Sequence, residues 1–173
     1  MRVFLGLGTN LGERLKNLKK ALTKLRERGV IVQSVSSVYE TQPIGACSPQ
    51  PLFLNAVVEV FWSGDLIQLL EVTEAVEKEM GRTEKGSGGP RTIDIDILWA
   101  QGVRYQSLRL IVPHPRLWQR AFVLVPLSEL VSHIDGREVR AVADALVADQ
   151  GVKVYAKDWW SGGDSGGSSS ASV

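Results

Sequence analysis

Apolar positions along the chain recur with two different spacings. The segment from Arg2 to Gly8 is a short apolar run, which predicts a strand. Leucines then recur three and four residues apart, at Leu15, Leu18, Leu22 and Leu25. This spacing places them on one side of a helix, and Gly29 stands where that helix would end. The chain therefore opens with a strand followed by an amphipathic helix.

The same two spacings return in the next part of the chain. β-branched residues between Val30 and Tyr39 and an apolar run from Phe53 to Trp62 predict two further strands. Asp65 precedes a second helical repeat, and Gln68 three residues later completes a capping-box pattern. The segment from Thr92 to Ala100 begins with alternating residues and predicts a fourth strand. The order of elements is strand, helix, strand, strand, helix, strand.

This order predicts an α+β fold, the ferredoxin-like βαββαβ arrangement, in which both helices cover one face of an antiparallel sheet. The opposite face would then be free to carry a site. Segments with helical character at 117–130 and 139–148 would add C-terminal helices. We expect one domain over residues 1–160. The tail at 161–173 is rich in glycine and serine, and we expect it to be disordered because it has nothing to bury.

The composition narrows the class of protein. The 173 residues have a formal net charge of +1, which provides no strong field to attract a nucleic acid. The single cysteine, Cys47, cannot form an internal disulfide, and the N-terminus has no signal-peptide pattern. No apolar run reaches the roughly 18 residues that a membrane span needs. We therefore expect a cytoplasmic monomer that binds small molecules through locally placed charges.

Two aspartates stand two residues apart inside the fourth predicted strand, in the run GPRTIDIDI. Side chains on a strand alternate, so Asp94 and Asp96 share one face while the neighbouring isoleucines point to the core. Carboxylates about 6.5 Å apart along a strand are able to bracket one or two divalent cations, and magnesium suits oxygen ligands that act together with phosphates. Isolated pairs of this kind also occur on solvated strand faces, so the surrounding residues decide between the two interpretations.

Positive side chains are grouped around these aspartates in the sequence. Arg82 and Arg91 flank a glycine-rich segment at 85–89, and a second group follows at Arg109, His114, Arg116 and Arg120. Guanidinium groups bind phosphate oxygens through bidentate, charge-assisted hydrogen bonds. The grouping predicts a site for a magnesium-bound triphosphate. The segment at 85–89 would either close over the nucleotide or serve as a plain connector.

Two aromatic residues and an amide offer a site for a flat heterocycle. Phe53 and Phe122 supply ring faces for stacking, and Asn55 supplies both a donor and an acceptor for a ring edge. Aromatic residues are also common in cores, so the two rings alone decide nothing. An amide inside an apolar strand needs polar partners, which makes Asn55 the more informative residue.

Other nucleotide and metal sites find no support in the sequence. The glycines from Gly6 to Gly12 have the wrong spacing for a dinucleotide fingerprint, and no P-loop motif occurs. One cysteine with His114 and His133 is too few ligands for a zinc site or a cysteine protease.

Taken together, these motifs resemble the 6-hydroxymethyl-7,8-dihydropterin pyrophosphokinase family. The resemblance runs from Arg2 to about Leu130 and keeps the order of its motifs. They are GLGTNLG at 6–12, SSVYET at 36–41, FLNA at 53–56, GPRTIDID at 89–96 and VPHPR at 112–116. The run GPRTIDIDI followed by VPHPR is far more specific than two aspartates alone.

The resemblance implies a magnesium-dependent diphosphotransferase of folate biosynthesis. It would transfer a diphosphate from ATP to the hydroxymethyl group of 6-hydroxymethyl-7,8-dihydropterin and release AMP. Two magnesium ions would lie at Asp94 and Asp96, and Arg82 and Arg91 would assist catalysis. The ATP side would contain Glu74, Glu77, Arg82, Arg91, Arg109, His114 and Arg120. The pterin pocket would contain Thr41, Gln42, Ile44, Phe53, Asn55 and Phe122.

Two alternatives stay open at this stage. A palm-type nucleotidyltransferase also places two metal-binding carboxylates on a ferredoxin-like sheet, although a near-neutral chain is poor support for a polynucleotide substrate. A non-catalytic ferredoxin-like module would bind a small ligand without magnesium. That alternative leaves Asp94, Asp96 and the arginines without a role.

Overall fold

The computed structural model describes residues 1–42, 50–81 and 91–161. Several sequence-based expectations fall outside these ranges: those for Ile44, Cys47, Arg82, the segment at 85–89, and all but the first residue of the tail at 161–173. The described residues form one main antiparallel sheet with helices on both of its faces.

The helices and strands follow one another in a fixed order. They are β1 (Arg2–Thr9), α1 (Arg14–Glu27), β2 (Ile31–Val35), β3 (Val38–Thr41), β4 (Phe53–Phe61), α2 (Leu66–Glu79), β5 (Asp94–Ala100), β6 (Tyr105–Gln106), β7 (Ile111–Val112), a 3-10 turn (Leu117–Gln119), α3 (Ala121–Leu127), β8 (His133–Ile134), β9 (Arg137–Glu138), α4 (Val139–Val147) and β10 (Val152–Ala156). The two predicted helices and three of the four predicted strands of the N-terminal part are confirmed, with small shifts at their ends, and the second predicted strand is present as two strands, β2 and β3.

The main sheet has the strand order β10-β3-β4-β1-β5, and β2 pairs with β4 beside β3. Each pair in it is antiparallel. β1 lies between β4 and β5, so its residues from Val3 to Gly8 each pair with a residue on both sides. Gly8 stands opposite Asn55 on one side and Asp94 on the other, and Gly6 stands opposite Asp96. The glycines of β1 therefore lie between the predicted amide and the predicted carboxylates.

The predicted strand over Val30 to Tyr39 is divided at Ser36. The hydroxyl of Ser36 accepts the hydrogen bond from the Val57 amide at 2.9 Å. The carbonyl of Ser36 instead accepts a hydrogen bond from the indole nitrogen of Trp159 at 2.7 Å. A side chain thus replaces a carbonyl in the ladder, and the strand separates into β2 and β3.

Helices α1 and α2 pack together on one face of the sheet. Their apolar residues share a core with the side chains of that face, at Leu18, Leu22, Leu69, Val76, Leu5, Leu7 and Ile95. The predicted capping box of α2 is present, because the Asp65 side chain accepts from the Gln68 amide and the Gln68 side chain accepts from the Asp65 amide. This core fixes one face of the strands on which the site lies.

The opposite face of the sheet is only partly open, which corrects the expectation of a free face. Phe4, Val57 and Leu98 lie on it and are buried under α3 and α4. Large apolar side chains need such a cover, because exposing them to water is unfavourable. Further along the same strands the face becomes polar or lacks side chains, and there it remains open. Within the described residues, no helix is long and apolar enough to cross a membrane.

Candidate active site

The open part of this face is a cleft of about 560 Å³. Its floor is formed by β1, β4 and β5, and one wall is formed by the segment that leads into α3. Many of the residues predicted for the two substrates line it together: Thr41, Gln42, Phe53, Asn55, Arg91, Asp94, Asp96, His114, Arg120 and Phe122. Residues from distant parts of the chain are thus brought to one site.

Asp94 and Asp96 lie on the cleft side of β5. Ile93, Ile95 and Ile97 are buried, as the alternation in the sequence predicts. Both carboxylates stand beside glycines of β1, which have no side chain to fill the space above the strand. This leaves room at the carboxylates for a ligand.

The donor atoms of this pair suit magnesium. They are carboxylate oxygens, and in the described part of the chain no cluster of three or more His, Cys, Asp or Glu side chains offers a more complete metal site. Magnesium is often bound through one or two carboxylates, with water and substrate phosphates as its other ligands. The two aspartates therefore fit an ion that binds together with a phosphate chain.

Arg91 lies beside Asp94 in the cleft. Its Nη1 lies 4.0 Å from Asp94 Oδ2, and its guanidinium carbon lies 5.6 Å from the centre of the Phe53 ring. Its buried Nε has no hydrogen-bond partner among the described residues. A buried donor without a partner is costly, and an anionic ligand in the cleft would supply one.

The backbone of Arg91 is held by Asn10, which is 1% exposed. The side-chain Oδ1 of Asn10 accepts from the backbone amide of Arg91 at 2.7 Å, and the backbone amide of Asn10 donates to the Arg91 carbonyl at 3.1 Å. The Asn10 Nδ2 donates to Gln50 Oε1 at 2.9 Å and to the Pro51 carbonyl at 3.2 Å. One buried asparagine thus joins the chain entering β5 to the chain entering β4.

Arg120 occupies the N-cap position of α3 and lies near both aspartates and two other arginines. Burial lowers the pKa of Arg120 from its ordinary value. Asp96, and to a smaller extent Asp94, oppose this shift, whereas Arg116 and Arg91 add to it. The guanidinium carbon lies 5.4 Å from the ring centre of Phe122. These groups form a compact set of opposite charges at one end of the cleft.

Asn55 defines the other end of the cleft, on β4. Its Nδ2 donates to Thr41 Oγ1 at 2.6 Å, and both residues are buried. Its Oδ1 faces Gly8, where a Cβ would come within 2.8 Å of this oxygen. The hydrogen bond to Thr41 therefore orients the amide, and the glycine makes space for it. Phe53 and Phe122 supply ring surfaces in the same cleft.

His114 is held by its own segment. Its amide donates to the Leu98 carbonyl at 2.8 Å, and its Nδ1 accepts from the Arg116 amide at 3.1 Å. The Val112–Pro113 peptide bond just before it is cis. These contacts direct the imidazole and the Arg116 side chain to the cleft, where both are lining residues.

Three residues predicted for the nucleotide are not among those that line the cleft. Arg109 and Glu74 are exposed and form an ion pair with 3.2 Å between Nη2 and Oε1. Glu77 is 3% exposed, and its Oε2 accepts from the Ile95 amide at 2.7 Å. Their assignment to ATP stays a prediction, as does that of Ile44 and Arg82 outside the described ranges.

The cleft also contains residues that sequence reasoning did not assign to it. Gly6 and Gly8 lie in the motif GLGTNLG, which by itself indicates no structural role for them. Gln119 and Gln150 have no signal in the sequence, because neither lies in a motif and glutamine is common on surfaces. Only the folded chain brings Gln150, which follows α4, next to the start of α3.

Carboxylates, guanidinium groups and an imidazole around one cleft are typical of enzymes that transfer phosphoryl groups. The sequence pattern described as 7,8-dihydro-6-hydroxymethylpterin-pyrophosphokinase (HPPK) matches residues 4–132. The chain belongs to this family. It is an enzyme with pyrophosphokinase activity in folate biosynthesis, and ATP is its co-substrate.

Individual relatives agree with this assignment. A 2-amino-4-hydroxy-6-hydroxymethyldihydropteridine pyrophosphokinase of Bacillus subtilis is 39% identical over 153 residues, which cover 88% of this chain and 89% of the relative. A protein of the same description from Porphyromonas gingivalis is 46% identical over 132 residues, which cover 74% of this chain and 89% of the relative. A folate synthesis bifunctional protein of Arabidopsis thaliana is 42% identical, but the match covers 77% of this chain and only 28% of that protein.

Solved structures show the same fold at lower identity. A wild-type Plasmodium falciparum HPPK-DHPS with pteroate superposes with a TM-score of 0.65 and 14% identity. The superposition covers 85% of this chain and 42% of that one. The chain thus corresponds to a part of these longer proteins, and at this identity the likeness concerns the fold alone.

Proposed function

We propose that the enzyme transfers a diphosphate from ATP to the hydroxymethyl group of 6-hydroxymethyl-7,8-dihydropterin, giving AMP and the pterin diphosphate. The observation that carries this proposal is the division of the cleft. Asp94, Asp96, Arg91 and Arg120 form a charged end. Asn55 lies on the other side of β1 from Asp94. The rings of Phe53 and Phe122 face the same cleft, each beside an arginine of the charged end. An amide and two ring faces suit a flat heterocycle.

The charged end is proposed to bind the triphosphate. Asp94 and Asp96 would hold two magnesium ions, which when bound neutralise phosphate charge and orient the triphosphate. Arg91 and Arg120 would bind phosphate oxygens that remain anionic, and Arg82 would join them in transfer. The residues proposed for ATP are Glu74, Glu77, Arg82, Arg91, Arg109, His114 and Arg120. The exposed position of Arg109 and Glu74 suits a contact with the outer part of the nucleotide.

The other end is proposed to bind the pterin. Its ring would stack on Phe53 and Phe122, and Asn55 would pair with the ring edge. The hydrogen bond from Asn55 to Thr41 supports this role, because it fixes the plane of the amide before the ligand arrives. Gln42 and Ile44 complete the proposed pocket with Thr41.

In the proposed reaction the pterin hydroxymethyl oxygen attacks the β-phosphorus of ATP. A bond forms between that oxygen and the β-phosphorus, and the bond from the β-phosphorus to the oxygen bridging it to the α-phosphorus breaks. The hydroxyl proton passes to water, and AMP leaves with the bridging oxygen. Arg91 and Arg120 stabilise the charge on the phosphate groups, and the aromatic rings hold the acceptor in line. No covalent intermediate on a side chain is required.

We also propose the finer features that the family assignment leaves open. The core strand order β5-β1-β4-β3 supports a ferredoxin-like arrangement in which β2 and β3 together are the second strand. The near-neutral charge supports the absence of a nucleic-acid partner. We also propose that the enzyme is a monomer located in the cytoplasm. We propose a single domain over residues 1–160.

The test is to incubate the protein with ATP, magnesium and 6-hydroxymethyl-7,8-dihydropterin and to separate the products by chromatography. AMP with a diphosphorylated pterin is expected in equal amounts. AMP with free pyrophosphate and unchanged pterin would refute the transfer. A reaction that proceeds equally well with EDTA present would refute the magnesium requirement.

A further inference from the structure

The segment between the last helix and the last strand contributes a residue to the cleft from beyond the residues that the family pattern matches. Gln150 follows α4 and lies beyond residues 4–132. Its Oε1 accepts a hydrogen bond from the Ala121 amide at 2.8 Å, and its Nε2 donates to the Gln119 carbonyl at 3.0 Å. The two hydrogen bonds hold the backbone on both sides of Arg120. One side chain therefore holds the peptide from which Arg120 projects.

The hydrogen bond from the Ala121 amide to Gln150 lies at the start of helix α3, where the N-cap residue is an arginine. The first amides of a helix have no partner within it, and a Ser, Thr, Asp or Asn at the N-cap usually accepts from them. Arg120 occupies the N-cap here, and its side chain makes no capping hydrogen bond. Gln150 instead accepts from the amide of Ala121, the first residue of the helix and one of the amides without a partner inside it. One end group of α3 is thereby satisfied by a side chain from a distant segment.

The same contact lies one residue before Phe122. This ring lines the main cleft and also a second, smaller cavity of about 140 Å³, which Gln150 and Gln42 line as well. The hydrogen bond to the Ala121 amide holds the backbone next to the residue from which this ring projects.

Gln150 is itself firmly placed. Its amide donates to the Leu146 carbonyl at 3.1 Å at the end of α4. Two residues later Val152 begins β10, where it pairs with Thr41, the partner of Asn55. The side chain is therefore fixed between the wall that carries Arg120 and Phe122 and the strand that carries Thr41.

We propose that Gln150 is a positioning residue for the reaction: it caps α3 from a distance and so sets Arg120 against the phosphates and Phe122 against the pterin. The two ligand assignments rest on the proposed function. Gln150 does not need to touch either substrate, since its Oε1 and Nε2 are both engaged by backbone groups.

The test compares three purified proteins with the wild type. Gln150→Met keeps the size of the side chain and removes both hydrogen bonds, whereas Gln150→Glu keeps the acceptor for Ala121 and removes the donor. Gln101→Met is the matched control, because Gln101 lies in an exposed turn directly after the last residue of β5. Steady-state kcat and the KM for each substrate are measured, with thermal unfolding and with hydrogen exchange of the Ala121 amide.

Gln150→Met is expected to raise both KM values by roughly tenfold and to lower kcat, with the fold retained. Gln150→Glu should recover part of the loss and keep Ala121 protected from exchange. Kinetic constants within twofold of the wild type for Gln150→Met would overturn the proposal, as would a lower melting temperature with unchanged kinetics. If Gln150→Met fails to fold, Gln150→Glu provides the test. Wild-type kinetic constants in Gln150→Glu, together with fast hydrogen exchange at the Ala121 amide, would then overturn the proposal, because the cap would be lost without any effect on the reaction.

Failure of the proposed reaction is recognised separately. A wild-type protein that does not convert the pterin would refute the function. The cap would still be judged by exchange at Ala121, which does not depend on activity.

Discussion

Gly8 lies directly against Asn55, and a Cβ at Gly8 would come within 2.8 Å of the Asn55 Oδ1. The two residues are paired across β1 and β4, so neither backbone is free to retreat. The motif GLG in β1 thus has a steric cause. It keeps the strand bare beneath the amide that we propose to bind the pterin.

Gly8→Ala should weaken pterin binding because the new methyl group pushes the Asn55 amide out of its plane. We expect the KM for the pterin to rise about tenfold or more, with a smaller change for ATP. Gly6→Ala is the comparison: its Cβ would meet the flexible end of Leu98 at 3.3 Å, and Gly6 stands opposite Asp96, so its effect should fall on ATP and not on the pterin KM. Equal pterin KM values for the two variants would contradict this interpretation.

Asp94→Asn and Asp96→Asn should each lower kcat by on the order of a hundredfold or more. Neither carboxylate supports the core, so melting temperatures should stay close to that of the wild type. Asp144→Asn is the control, at an exposed aspartate of α4 that pairs with Arg140. Near-normal turnover in both cleft variants would remove the basis for two metal ions at this pair.

Asn10→Ala should destabilise the protein by about 1–3 kcal/mol, the cost of leaving buried groups without partners. It removes the acceptor for the Arg91 amide and the donor to Gln50 and Pro51. Asn10→Asp keeps the acceptor and loses the donor, so it should retain more activity than Asn10→Ala. Chemical denaturation and kcat measure the two effects. If Asn10→Asp is the less active of the two, the contact with Arg91 is not the important one.

Acid should destabilise the strand pair β1 and β4 through Glu59. Burial raises the pKa of Glu59, but hydrogen bonds from Arg2 and Ser34 outweigh it, and the pKa lies below its ordinary value of 4.5. A carboxyl group with a lowered pKa in the folded state stabilises the fold above its unfolded pKa, and this contribution is lost as pH falls through the folded value. The free energy of unfolding should therefore fall as the pH drops below about 4.5.

Glu59→Gln isolates this contribution. Its stability should be lower than that of the wild type at pH 7, and the difference should shrink on acidification. Urea unfolding at several pH values provides the measurement. A difference that stays constant from pH 7 to below the folded pKa would show that Glu59 does not contribute in this way.

Periodic segments were predictable from the sequence, and irregular ones were not. The leucine repeat of α1 and the capping box of α2 act within a few residues, so local patterns reveal them. The division of the second strand was not predicted, because it depends on Trp159, which lies 123 residues from Ser36. The hairpins β6–β7 and β8–β9 were missed since strands of two residues have no period. Strand β10 was also not predicted from the sequence.

The residues of the candidate site also divide into those that a local pattern predicts and those that depend on distant contacts. Asp94 and Asp96 were predictable because the alternation of one strand sets their direction. Gln150 was not, because its role depends on two backbone groups of a distant segment. The apolar residues that carry α3 and α4 on the site face were also not foreseen. Phe4, Val57 and Leu98 come from three strands, and only their pairing makes them one surface.

The bond between Trp159 and Ser36 bears on how short a functional version of this protein can be. A chain trimmed to the residues that define its family would end at 132. It would lose the indole that holds the Ser36 carbonyl, the strand that shields the edge of β3, and the amide that caps α3. We therefore expect the smallest stable unit to be longer than the family signature, and deletion from the C-terminal side should lower the melting temperature before it reaches residue 132.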